Sequence, residues 1–104
     1  MPLATGFIKS LQPTRFIASF DLEGSLYTFT GNTNPPTQPF ESNAATLEYD
    51  SVDTLRSSRQ FNGIIGDGDQ VSFTFNDGTV IKGNLDSPIS PASSVNGTGS
   101  WHQE

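Results

Sequence analysis

The chain contains no cysteine, which excludes a disulfide scaffold and any thiolate metal site and leaves the fold to be held by packing alone. It also lacks a long apolar run. No stretch approaches the ~20 residues of a membrane-spanning helix, so no helical membrane span is expected. Basic residues are scarce: 5 Lys and Arg stand against 11 Asp and Glu, a formal net charge of −6. Nucleic-acid binding depends on cationic side chains displacing counterions, so no nucleic-acid partner is expected, and anionic membrane surfaces are disfavoured for the same reason. The single histidine, His102, lies where fraying is usual and makes a poor acid–base group, because such a group needs held geometry. No Gly-x-Ser-x-Gly elbow occurs, and without Cys or a second His nucleophilic catalysis has little to draw on. The segment from Met1 to Lys9 has neither the basic nor the continuous apolar region of a secretory signal, so a cytoplasmic location is the default expectation.

What is present is alternation interrupted by turns. Phe16-Ile17-Ala18-Ser19-Phe20-Asp21-Leu22 is followed by Glu23-Gly24 and then Ser25-Leu26-Tyr27-Thr28-Phe29-Thr30. Later, Val71-Ser72-Phe73-Thr74-Phe75 leads through Asn76-Asp77-Gly78 to Thr79-Val80-Ile81-Lys82. Apolar residues at every second position suit a strand, and glycine supplies the positive φ of a tight reversal, so both segments read as β-hairpins. The two hairpins share an aromatic arm, a Gly turn and a Gly-Asn ending (Gly31-Asn32 and Gly83-Asn84). That is compatible with an internal duplication, although any two hairpins share much of this pattern.

Extending the reading gives about eight short strands, over 4–10, 15–22, 25–30, 45–50, 59–65, 70–76, 79–85 and 93–101. Residues 31–39 carry Pro35, Pro36 and Pro39 and are expected to form a long surface loop, because proline cannot donate to a ladder. Residues 51–58 read as a connecting turn with room for one helical turn, and 87–91 as a second proline-broken loop. Asn62-Gly63 and Asn96-Gly97 are tight-turn pairs that fall inside strands, which predicts either bulges or a misplaced strand. At 104 residues the chain is one domain, 1–104, burying roughly two-thirds of its unfolded surface. The expected fold is all-β: a small antiparallel β-sandwich or a closed β-barrel, its strands joined by hairpins.

With catalysis poorly supported, a non-catalytic binding module is the preferred class. A carbohydrate-binding, lectin-like role needs an apolar platform for a sugar ring beside amides or carboxylates for its hydroxyls. The candidate ligand-binding residues are Trp101, Tyr27, Tyr49, Asn32, Asn34, Asp67 and Asp69. Trp101 ends a Gly-Thr-Gly-Ser run and reads equally as an exposed platform or as a plug in the barrel end. The alternative is a small apolar-ligand carrier, with Phe16, Phe20, Phe73 and Phe75 walling a pocket inside the barrel. A third reading is a structural protein that assembles into a homo-oligomer. No cofactor is expected. Gly66-Asp67-Gly68-Asp69 could offer oxygens to calcium, but it does not meet the EF-hand pattern and reads first as a plain turn. Asp53-Thr54-Leu55-Arg56-Ser57-Ser58 resembles the acid-to-Ser-Ser loop of the βγ-crystallins, Greek-key sandwich proteins, over that hexamer alone, with Thr54 where the family places a second acid.

Overall fold

The computed structural model describes residues 3–103 other than 23, 68 and 90, and side chains other than those of Thr54 and Asp67. Eight strands close into an antiparallel barrel, which settles the expected choice between sandwich and barrel. In chain order they are β1 (Leu3–Gln12), β2 (Arg15–Leu22), β3 (Ser25–Asn34), β4 (Glu41–Glu48), β5 (Ser57–Asp67), β6 (Gln70–Phe75), β7 (Val80–Asn84) and β8 (Ser93–Gln103). A 3-10 turn, Val52–Thr54, links β4 to β5. Around the barrel the order is β1-β2-β3-β8-β5-β6-β7-β4, with β4 returning to β1.

This order is unchanged when the two halves of the chain are exchanged. Replacing β1 to β4 by β5 to β8 turns the pair β1·β2 into β5·β6 and β2·β3 into β6·β7. It also turns β3·β8 into β7·β4 and β8·β5 into β4·β1. The two hairpins whose sequences look alike thus occupy equivalent places. Each half is a three-strand meander whose fourth strand returns beside its first and there meets the third strand of the other half.

The alternation has its expected consequence: one row of each strand faces inward and is buried. Phe16, Ala18, Phe20 and Leu22 of β2, and Val71, Phe73 and Phe75 of β6, are core residues. Phe16 and Phe73 stack with centroids 4.5 Å apart and planes 5° apart, and Phe61 meets both edge-on. One end of the barrel carries the β2–β3 and β6–β7 turns and the 3-10 turn, and is filled by Leu55 and Trp101. The other carries the β3–β4 and β7–β8 loops, from which Phe40, Leu85 and Ile89 turn inward. These are called the hairpin end and the loop end.

The glycines inside strands have a packing reason. Gly6, Gly31, Gly63 and Gly97 point into the barrel, each directly opposite a phenylalanine: Phe20, Phe16, Phe73 and Phe61. A Cβ on Gly31 would lie 2.6 Å from Cε1 of Phe16. At Gly31 and Gly63 the space a side chain would take is occupied by the partner's ring, which lets a narrow barrel hold so many aromatics, and at Gly6 and Gly97 it is occupied first by backbone of the adjacent strand. Asn62-Gly63 and Asn96-Gly97 therefore mark neither turns nor bulges, and the ladder is regular through both. The register shift falls instead between Ile65 and Asp67, around Gly66 at φ 100°.

Two boundaries differ from expectation by four residues, the largest differences among the strands. β3 does not end at Thr30: Gly31 to Asn34 pair with Gly99 to Asn96 of β8, so the polar residues expected in a loop form barrel wall. β4 starts at Glu41 rather than at Ala45, because β1 pairs with Ser42 and Glu41 beyond a register shift. In the β6–β7 turn, Gly78 takes φ 93° and the backbone N–H of Thr79 donates to Oδ1 of Asp77 at 3.0 Å. Oδ2 of the same carboxylate meets Nε of Arg59 at 3.2 Å. Asp77→Ala removes both contacts, and an expected loss of about 1–2 kcal/mol should appear as a lower urea midpoint. An unchanged midpoint would mean that Gly78 and the backbone hydrogen bonds between Phe75 and Thr79 and between Gly78 and Phe75 suffice to hold this turn.

Candidate functional site

A filled interior moves the search to the outer wall. Phe16, Phe20, Phe73 and Phe75, expected to wall an apolar pocket, are core residues packed among themselves and their neighbours.

The proposed ligand residues do not converge. Trp101 is only 5% exposed, with its ring 5.1 Å from that of Phe29 and 5.9 Å from that of Phe75. It is a plug and not a platform, because β8 turns its odd-numbered row inward. Tyr27 is buried on β3, and Tyr49 is half-buried against the core. All three lie toward the hairpin end. Asp69 is exposed at the loop end, at φ 65°, where its carbonyl accepts the N–H of Leu85 at 2.9 Å. The side chain of Asp67 lies outside the described residues. Among the described residues, no group of three or more His, Asp or Glu is placed to hold a metal ion.

Asn32 and Asn34 are the two candidates that the barrel places in a larger array. Both point outward from β3 and are exposed. The ladder sets Asn34 beside Asn96, Asn96 beside Asn62 and Asn62 beside Thr74, across β3, β8, β5 and β6. The adjacent row runs from Asn32 to Thr98 and Gln60, and on to Asn76, whose backbone N–H donates to the carbonyl of Gln60 at 3.1 Å. Thr30, Ser100 and Ser58 form the row nearer the hairpin end, and Ser94, Ile64 and Ser72 the row nearer the loop end. Directly paired side chains in such rows sit about 5 Å apart, and successive rows about 7 Å apart.

The chemistry of this face is uniform. Apart from Ile64, every outward side chain named is an amide or a hydroxyl, and none is charged. Arg15 continues the Asn32 row on one side, and Lys82 continues the Ser72 row on the other. Three shallow depressions lie on the face, of about 390, 370 and 430 Å³. The first two share Asn62, Thr74 and Asn96, and the first joins the third at Thr98. Sequence reasoning named Asn32 and Asn34 but took them for loop residues. Asn62 and Asn96 were likewise legible as loop hydrogen-bonders, and the rest of the array follows from alternation in 58–64 and 94–100, where the outward row is polar without charge. Compared with protein-family models, curated proteins and solved structures, the chain matches none.

Proposed function

We propose that this barrel is a non-catalytic, lectin-like module that binds carbohydrate on the uncharged polar face of β3, β8, β5 and β6. One observation carries the reading: a surface four strands wide made almost wholly of amides and hydroxyls, in a chain with 16 formally charged residues by count of its acids and bases. Sugar hydroxyls each donate and accept, and Asn and Gln present both an acceptor oxygen and a donor NH₂. Withdrawing neutral groups from water costs far less than withdrawing ions, so hydrogen bonds to a neutral ligand keep more of their value here. The face offers no exposed aromatic ring, so recognition rests on hydrogen bonds.

Calorimetric titration with neutral oligosaccharides tests this reading. Asn62→Ala combined with Asn96→Ala is expected to weaken binding by roughly tenfold, the value of one or two net hydrogen bonds. The unfolding midpoint should hold, since exposed substitutions of this kind change stability by only about 0.5 kcal/mol. A folded wild-type protein that binds no saccharide in a broad panel would discard the proposal.

A further inference from the structure

We infer that the face takes a linear, uncharged polysaccharide chain laid along the β5–β8 seam; this rests on the carbohydrate reading above and specifies its ligand. The seam has four outward rungs in register: Ile64 with Ser94, Asn62 with Asn96, Gln60 with Thr98, and Ser58 with Ser100. At two residues per rung they span about 20 Å from the loop end toward the hairpin end. The three depressions succeed one another along the seam, two on its β6 side and the last on its β3 side. One lies by the Ile64–Ser94 rung, the next by Gln60 and Thr98, and the third by Ser58 and Ser100. A monosaccharide fills one of them. Only a chain of several linked units engages all three at once, and in doing so it turns the second and third contacts into intramolecular events. Direction follows from curvature, because a ligand running around the barrel must bend with the circumference, whereas one running along the strands meets a straighter path.

Charge narrows the class further. The seam has no carboxylate to pair with an amino sugar and no cation for a uronate or a sulfate. Arg15 and His102 border only the last depression, and the net charge of −6 repels a polyanion approaching from solution.

The test compares cellohexaose, maltohexaose and laminarihexaose with their disaccharides by calorimetry on the intact protein, at about 0.05 and about 0.5 M salt. At least one hexaose should bind roughly tenfold or more tighter than its disaccharide, with no dependence on salt. Ser94→Glu and Ser100→Glu, at opposite ends of the seam, should each weaken that hexaose. Polygalacturonate and heparin should not bind. Equal affinity for hexaose and disaccharide, insensitivity to both end substitutions, or preferential binding of a polyanion overturns the inference and leaves the carbohydrate reading standing. Failure of every saccharide with the fold intact discards both.

Discussion

Trp101→Ala is expected to lower the stability of the barrel by about 3–5 kcal/mol, a large fraction of the 5–15 kcal/mol typical of a domain. The indole packs against Phe29 and Phe75 at the hairpin end, and its removal leaves a cavity whose lining rings cannot collapse without leaving their strands. For a chain of this length the loss should lower the melting temperature on the order of 15 °C. The residue also carries a cost of its own, because its indole N–H is buried with no hydrogen-bond partner among the described residues. Trp101→Phe deletes that unpaired donor along with some volume and should cost much less than the alanine change. If Trp101→Ala melts with the wild type, the indole is not a core residue and the closure of this end must be reassigned. If Trp101→Phe keeps its stability and its saccharide affinity, the platform role is excluded as well.

The second large effect is expected at Gly97. A Cβ there would lie 2.9 Å from the carbonyl carbon of Asn32 and still closer to its oxygen, with the ring of Phe61 3.2 Å away. The obstacle is backbone of the adjacent strand, which cannot rotate aside as a side chain can. Gly97→Ala must therefore push β3 and β8 apart, at an expected cost of about 1–3 kcal/mol. The sign is informative, because alanine in place of a strand glycine ordinarily stabilises by reducing the freedom of the unfolded chain. Asn96→Ala, one residue away on the outer face, serves as the control and should stay within about 0.5 kcal/mol. A Gly97→Ala barrel as stable as the wild type would show that the closeness of β3 and β8 does not depend on this glycine.

These two positions show where the sequence was legible and where it was not. Period-two alternation identifies the inward rows of β2 and β6 because each lies wholly within one strand, and glycine turns identify the hairpins because they are local. Gly63 and Gly97 were open to misreading for the opposite reason. What requires a glycine there lies on another strand, the ring of Phe73 at Gly63 and the backbone of Asn32 at Gly97, contacts that no local window contains. Asn32 and Asn34 looked like loop because polar residues next to prolines usually are. They are wall because β8, more than sixty residues later, supplies their ladder. The candidate site was least legible of all, since it is a property of four strands side by side and each contributes only an unremarkable polar row.

The place of each fourth strand, between the first strand of its own half and the third strand of the other, bears on how the chain comes together. Until β8 is in place, β3 and β5 each have one open edge, and the neutral seam between β5 and β8 does not exist. An early product holding β1 to β7 is thus an open sheet whose two edges are ready to accept a strand from another copy. The contacts that close it link Tyr27 to Gln103, a separation that makes closure slow relative to hairpin formation. β8 is both the lock of the barrel and half of its proposed reading surface, so a ligand seated on the seam would also act as a clasp.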